Sequence, residues 1–421
     1  MKILILGSGG REHALCHFIA KSKKVNKIYC IPGNAGTNDL ASNVNIDLNN
    51  FYKIKQFINN NKINIVVVGP EKPLVDGIVN YLSLSNIKVF GPDKIASKLE
   101  GSKIFTKNLC KKYNIPTANF GIFNNKYKAE LFLNNCNFPI VVKADGLASG
   151  KGVYICETKK KATTAVHEIF NGKFGKPKKI LFEEFLQGEE MSFFIVSDGK
   201  NFKYFGTAQD HKRVNEKDTG PNTGGMGAYS PSRLESKLLN QRIIKKIIKP
   251  TLKALKDMNS EFRGFLYAGL MIKKNQPFLI EYNVRMGDPE CQTILPRLKT
   301  DFFDIINAVV RQKLKFTKIE WKKHSCLSVV LCSKGYPGKY KEDIEINNIK
   351  KVKLKPNQFI FHAGTKIKNS KVVSKGGRVL NFITVSKNLK KSRDQLFKLI
   401  KKINWKNGFY RKDIGYKIID Q

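Results

Sequence analysis

Short apolar runs that stop at glycine or proline recur through the first hundred residues. Ile3–Leu6 ends at Gly7, Lys27–Ile31 at Pro32-Gly33, Ile65–Val68 at Gly69-Pro70 and Ile87–Phe90 at Gly91-Pro92. Apolar positions between them fall at helical spacing, as with Ala14, Leu15, Phe18 and Ile19. Strands alternating with helices in this way predict a parallel, doubly wound sheet over residues 1–100. Ligands of such sheets bind beyond the carboxyl ends of the strands, where the glycine and proline turns fall.

The pattern changes downstream. Phe138–Lys143, Val153–Cys156, Ile180–Phe182 and Pro277–Ile280 read as strands, and Ser236 to Met258 as one long amphipathic helix. The glycine-dense run Gly220–Gly227 has no apolar periodicity and reads as a mobile loop. From about Ser325 the alternation resumes, with strands over Cys326–Cys332, Phe359–His362 and Val379–Val385 and a helix over Leu389–Ile403. No catalytic set is legible in that last stretch; His362 and Arg378 could face the cleft, but read as structural.

Composition narrows the class. A hydrophobic fraction of 41% over 421 residues suits a globular protein with several cores. No run approaches the ~18 apolar residues of a membrane span, and the start has no cleavable signal pattern. The eight cysteines include no Cys-x-x-Cys pair. That usage fits reduced thiols in the cytoplasm, not a zinc or disulfide framework. His13 and His17 are four apart on a helix but lack the His-Glu-x-x-His order of zinc proteases. Lys and Arg number 76 against 34 acidic residues, a net charge of +42. Because the lysines are dispersed, without aromatic partners, the excess reads as a solvated surface and not as a nucleic-acid footprint.

Chemistry concentrates in four places. Along the strand ending in Glu281-Tyr-Asn283-Val-Arg285, alternation puts Glu281, Asn283 and Arg285 on one face. A carboxylate, an amide oxygen and a guanidinium there suit a hard cation and its phosphate ligand. The competing reading is a surface strand with a Glu–Arg pair. Upstream, Lys143 closes a strand, and Ala144-Asp-Gly-Leu-Ala-Ser-Gly-Lys151-Gly152 turns into the next. Backbone N–H groups and two lysines suit a polyphosphate. The spacing is not that of a Walker A loop, and a plain hairpin with solvated lysines is the alternative. The segment Glu183-Glu184-Phe185-Leu186 through Glu190 suits an adenine and its ribose. Gly9, Gly10 and Arg11 at a helix start suit a phosphate monoester. A dinucleotide fingerprint fails there, because Glu12 occupies its third glycine position.

In this order the 143–152 loop, the 180–190 segment and the 281–285 face resemble the ATP-grasp fold, in which two α+β lobes hold ATP. Further segments narrow the resemblance: Gly7-Ser-Gly-Gly-Arg-Glu-His-Ala14, Pro32-Gly-Asn-Ala-Gly-Thr37, Gly69-Pro-Glu-Lys-Pro-Leu74, Glu100-Gly-Ser-Lys103, Gln209–Arg213, Asp218–Pro231 and Arg285-Met-Gly-Asp-Pro-Glu290. With them the chain resembles the phosphoribosylamine–glycine ligases, or glycinamide ribonucleotide synthetases, along essentially its whole length.

The resemblance implies a multidomain α/β and α+β protein. Residues 1–100 would form a doubly wound domain on the phosphoribosylamine side. Residues 101–295 would form an ATP-grasp body of two lobes, with a nucleotide flap over about 115–190, and residues 325–421 a small α+β domain. It implies ATP-dependent joining of glycine to 5-phosphoribosylamine through glycyl phosphate, with Mg2+ or Mn2+ and with ATP as co-substrate. Glu281 and Asn283 would hold the metal. Lys103, Lys143 and Lys151 would contact phosphates, Glu183, Glu184, Phe185 and Leu186 adenine, and Glu190 ribose. Arg285 would steady the transferring phosphoryl group, and Asp210 and Asp288 would orient amine or glycine. Gly9, Gly10, Arg11, Glu71, His211, Lys212 and Gly225 would line the substrate site. The expected state is a cytoplasmic monomer with no membrane or specific nucleic-acid partner. Two other readings stay open: a different ATP-grasp carboxylate–amine ligase, and a basic nucleic-acid-binding protein.

Overall fold

The structure is a computed structural model and describes residues 1–147, 152–175, 179–403 and 405–419. The amino-terminal sheet has five parallel strands in the order Ser42–Asn43, Lys27–Pro32, Lys2–Gly7, Ile65–Val68, Lys88–Phe90. Four of these are the runs that apolar patterning marks. The fifth, Ser42–Asn43, is polar and carries no such signal. The order reverses direction beside Lys2–Gly7, so the turns after that strand and after Ile65–Val68 flank one crevice.

A second sheet of four antiparallel strands, Phe120–Phe123, Ile180–Glu184, Ile140–Ala144 and Val153–Cys156, carries the helices Lys126–Leu133 and Lys159–Phe170. Its apolar residues, among them Leu133, Val142, Val166 and Phe182, form a core of their own. It is therefore a separate small lobe.

The largest sheet has nine strands: Gln276–Asn283, Arg263–Lys273, Glu189–Asp198, Phe202–Asp210, Gly227–Ser230, Ser325–Ser333, Arg378–Ser386 and Gln358–His362 in order, with Gly408–Phe409 paired to the end of Ser325–Ser333. It crosses from the central region into the carboxyl-terminal one without a break. The link is Gly227–Ser230, which pairs with Phe202–Asp210 on one side and Ser325–Ser333 on the other. The mobile-loop reading of Gly220–Gly227 is thereby corrected. Thr219–Asn222 pairs with Arg213–Asn215, and Gly227 opens the bridging strand. Small residues hide the alternation that marks other strands. At Gly227 a Cβ would lie 2.5 Å from the Ser328 carbonyl, so smallness is a packing requirement.

The long helix over 236–258 forms as Lys237–Ile243 and Lys249–Asp257 joined by one π turn, Ile244–Ile248. Pro250 has no N–H to continue the ladder, and the widened turn falls just before it. One hydrophobic core joins Ile5 and Phe18 of the first domain, Phe205 and Phe265 of the large sheet and Phe361 and Ile383 of the last domain. The three regions thus hold a common cleft rigidly, and the small flap stands over it on its own core.

Candidate active site

The cleft is built from strand ends and helix starts. Gly9 precedes the helix Gly10–Ala20, and its N–H donates to Glu12 Oε2 at 2.6 Å. The Glu12 carboxylate fills the space above Gly7, Gly9 and Gly69, where any Cβ would come within 2.8 Å of it. This explains the glycines and the acidic residue together. Arg11 departs from the expected fork at the helix end. Its guanidinium turns inward, with Nε 2.6 Å from Glu12 Oε1 and Nη1 donating to the Met286 carbonyl at 3.1 Å. What the helix end presents instead is backbone N–H, with Arg11 N donating to Asp288 Oδ2 at 3.2 Å.

The Glu281, Asn283 and Arg285 side chains alternate with buried Tyr282, Val284 and Met286. Arg285 is gripped by carboxylates of the first domain. Its Nη2 donates to Glu100 Oε1 at 2.7 Å and its Nε lies 3.4 Å from Glu71. Glu100 also accepts from the Val284 N–H at 2.8 Å. Burial pushes the Glu100 carboxyl up to about 7, against the pull of Arg285. Arg285, with burial opposing, holds Glu71 below its ordinary value. Glu100 has no role in the sequence reading, although it stands in the Glu100-Gly-Ser-Lys103 segment.

Glu281 is partly exposed, with Lys212 Nζ at 3.7 Å. Burial would raise its carboxyl, yet Lys212, Lys143 and Lys103 hold it below the ordinary range. Asn283 makes no side-chain hydrogen bond among the described residues. A charged and a neutral oxygen, both open to one face, fit a magnesium-like ion that keeps its remaining ligands from phosphate and water. No cluster of three or more His, Cys, Asp or Glu suited to a metal occurs among the described residues.

The lysines come from two lobes. Lys143, one residue before the end of its strand, is buried 2.7 Å from Glu183 Oε1, while Lys107 lies 3.1 Å from Glu183 Oε2. The Glu183 side chain is thus a clamp between two ammonium groups. Beyond Glu183 the segment opens to solvent, with Glu184, Phe185 and Glu190 exposed and Leu186 partly so, and Glu184 accepts from Asn119 at 2.8 Å. Lys107 was missed, since a lysine in an amphipathic helix gives no signal. Lys103 Nζ donates to the Gly146 carbonyl at 2.8 Å, tying the helix Lys103–Lys112 to the flap loop. Lys151 lies outside the described residues.

Lys212 Nζ bridges Glu190 at 2.8 Å and Glu281 at 3.7 Å, so the two carboxylates share one cation. His211, its neighbour, points the other way. Its ring is buried, Nδ1 faces the Gly227 carbonyl at 3.2 Å and Nε2 accepts from the Gly415 N–H. Burial pushes it down to about 4, so it stays neutral and braces the carboxyl-terminal segment. Gly225 has φ +112°, and a Cβ there would meet Pro289 at 2.6 Å and Asp210 at 2.7 Å. Asp288 accepts from Gln292 at 2.8 Å and stands 3.4 Å from Arg378. Arg378, read as structural, enters the cleft from the third domain. Its Nη1 donates to the carbonyls of Gly224 and Asp288, both at 2.5 Å.

A flap with the buried Lys143, set over a strand whose end offers Glu281 and Asn283, defines the class: an ATP-grasp protein. Residues 1–100, 101–291 and 326–417 match, in turn, the N domain, the ATP-grasp (A) domain and the C domain of phosphoribosylglycinamide synthetase. The chain belongs to the phosphoribosylglycinamide synthetase family. It is 43% identical over 422 residues to the phosphoribosylamine–glycine ligase of Brucella melitensis, covering 100% of this chain and 99% of that one. With the enzyme of Caldanaerobacter subterraneus it shares 45% identity over 99% of both chains. The crystal structure of phosphoribosylamine–glycine ligase from Thermotoga maritima superposes with a TM-score of 0.86 at 32% identity, covering 99% of this chain and 100% of that one. A biotin carboxylase domain from Hydrogenobacter thermophilus, solved with MgADP, shares the fold at 16% identity, with a TM-score of 0.70 over 95% of this chain and 89% of that one.

Proposed function

We propose that this chain is a carbon–nitrogen ligase that joins glycine to 5-phosphoribosylamine with ATP, giving glycinamide ribonucleotide, ADP and phosphate in purine biosynthesis. The observation that carries the reading is the convergence in one cleft of an oxygen face (Glu281, Asn283), phosphate-side lysines (Lys103, Lys143) and a separate acidic wall (Asp210, Asp288), in a chain matched end to end by ligases of that name.

A carboxylate does not acylate an amine in water, because hydroxide is a poor leaving group. The glycine carboxylate oxygen attacks the γ-phosphorus, ADP leaves, and glycyl phosphate forms. The neutral amine of phosphoribosylamine then attacks the carbonyl carbon, the carbon–oxygen bond to phosphate breaks, and a proton passes to solvent. Glu281 and Asn283 hold the cation, which neutralises polyphosphate charge when bound. Lys103 and Lys143 hold the phosphates, with Lys143 kept in place by Glu183. Lys212 and Glu190 order the nucleotide's ribose side, and Glu184 to Leu186 border the base. Arg285, fixed by Glu71 and Glu100, holds the strand end rigid beside the transferring group. Backbone N–H groups at Gly9 to Arg11, with Asp288 and Gly225, line the phosphoribosylamine side. Catalysis on this reading is positioning and charge neutralisation, with no covalent enzyme nucleophile. The eight thiols are free, in keeping with a reducing cytoplasm, and the working unit proposed is the monomer.

ADP release measured with glycine and freshly made phosphoribosylamine, each omitted in turn, tests the reading, with glycinamide ribonucleotide detected by mass. ADP release that needs a different amine identifies another ATP-grasp ligase.

A further inference from the structure

The tip of the hairpin formed by Arg213–Asn215 and Thr219–Asn222 holds two consecutive non-glycine residues in the left-handed region, Lys217 at φ +55° and Asp218 at φ +52°. A side chain disfavours that conformation, and it persists where surrounding contacts over-determine it. Here the contacts come from the carboxyl-terminal segment 411–417. The Lys217 N–H donates to Asp413 Oδ2 at 2.8 Å. The Asp218 carboxylate accepts from Arg411 Nη1 at 2.8 Å and from the Tyr416 hydroxyl at 3.0 Å, and Lys417 Nζ lies 3.2 Å from it. Arg411 is 2% exposed and also grips Asp413, through Nε at 2.8 Å and Nη2 at 2.7 Å. Its Nη1 donates as well to the Arg213 carbonyl at 2.9 Å. One residue earlier, the Lys212 carbonyl accepts from the Thr223 N–H at 2.7 Å and from Thr223 Oγ1 at 2.9 Å. No step of the reaction uses the tail residues. Yet the hairpin they grip begins directly after Lys212, whose ammonium lies between Glu190 and Glu281 in the cleft.

We propose, resting on the ligase reading above, that the segment 411–417 is a clamp on the hairpin 213–222, and that Arg411 is a positioning residue acting on the reaction through Lys212. A lysine ammonium sits on a flexible four-carbon stem. It meets two carboxylates reliably only when its backbone is held on both sides. Thr223 holds the Lys212 carbonyl from within the hairpin, and Arg411 holds the next carbonyl, that of Arg213, from the last domain. A guanidinium suits this post because its planar fork reaches one carbonyl and two carboxylates at once, which a single ammonium does not. Without Arg411 the turn at Lys217 and Asp218 loses contacts that keep it left-handed. The tip relaxes, and the strand leading back to Lys212 shifts with it. The carboxyl-terminal domain thus bears on the nucleotide side of the cleft through the backbone, from a buried residue that carries no chemistry of its own.

The test is a double-mutant cycle of Arg411→Ala and Lys212→Ala, read in kcat/KM for ATP. Arg411→Ala is expected to lower it roughly tenfold, and the double variant to fall within about twofold of Lys212→Ala alone, because a group that acts through Lys212 has nothing to act on once that side chain is gone. Losses that multiply make the effect of Arg411 independent of Lys212 and overturn the proposal. Hydrogen exchange of Arg411→Ala is expected to speed up across 213–222 and to stay at the wild-type rate in Phe202–Asp210. Faster hairpin exchange with wild-type kinetics also overturns the proposal. Should Arg411→Ala fail to fold, Asp218→Asn carries the same cycle with a smaller loss, since that side chain is 30% exposed and keeps its shape. The cycle is also run in ATP affinity by calorimetry, which needs no turnover. Wild type that releases no ADP with glycine and phosphoribosylamine refutes the ligase reading, while the binding cycle still decides whether Arg411 acts through Lys212.

Discussion

Glu281 is set against burial by three lysines, and an ionised carboxylate there is what a hard cation needs. Replacing Glu281 by Ala removes a charged ligand, whose loss costs several kcal/mol of charge stabilisation, or about a thousandfold in kcat. Asn283→Ala removes a neutral ligand and is expected to cost less and to be largely rescued by excess magnesium. Turnover titrated against magnesium for both variants checks this; near-normal rates for Glu281→Ala at limiting metal would refute the metal face. Glu183 calls for a different measurement. Its carboxylate is the counter-ion of Lys107 and Lys143, all three buried. Glu183→Ala leaves two ammonium groups without it, a loss of about 3–5 kcal/mol by comparison with other broken buried pairs. Hydrogen exchange in Ile140–Ala144 and Ile180–Glu184 is expected to speed up, while the large sheet stays protected. Unchanged exchange with a raised KM for ATP would return Glu183 to the base-binding role read from the sequence.

At the scale of elements, the docking of helix Gly10–Ala20 on strand Gln358–His362 depends on neutral histidines. His13 Nδ1 accepts from the His362 N–H at 2.9 Å, and the His17 ring packs edge-on to Phe18, Phe359 and Phe361. Burial pushes His17 and His362 down to about 4. Burial, then His362 and His17, hold His13 well below its ordinary value too. Lys21, with its Nζ over the Phe18 and Phe359 rings, adds positive charge on the same side. A depressed histidine binds its proton more readily in the unfolded chain. The stabilisation is therefore present above about 6.5 and is lost as pH falls towards 4. Acid unfolding followed by near-UV circular dichroism is expected to begin below pH 6.5, and His17→Phe, which keeps the packing and removes one titrating ring, to shift it to lower pH. An unshifted profile would mean that carboxylates, not this interface, set acid stability.

For the whole molecule, the +42 charge matters more for encounter than for fold. A dispersed lysine surface attracts anionic substrates and binds polyanions by counterion release, with an affinity that falls steeply with salt. Fluorescence anisotropy with short DNA and RNA is expected to show association at low salt that vanishes near physiological ionic strength and ignores sequence. Submicromolar, sequence-dependent binding at that salt would add a second function. The chain is held as one body by the sheet that crosses from its centre into its last domain and by a core shared among three domains. The flap stands apart on its own core, which makes it the element free to close over a nucleotide.

Periodicity by itself determined the doubly wound sheet and the three strands and helix of the last domain. Those segments bury one face or both, and burial writes its period into the residue order. Alternation likewise put Glu281, Asn283 and Arg285 on one face before any contact was known. Composition could not place what depends on partners distant in the chain. Gly227–Ser230 became a bridging strand because its neighbours leave room only for small residues, and smallness looks like a loop. Arg11 turned inward because Glu12 and the Met286 carbonyl lie there, not because of anything at the helix start. Lys107, Glu100 and Arg378 entered the cleft from three elements whose local patterns are ordinary. The sequence fixes which residues are apolar and which can carry charge. Which charges meet is decided by tertiary packing, because a buried ion must find its counter-ion wherever the fold brings one within a few ångströms.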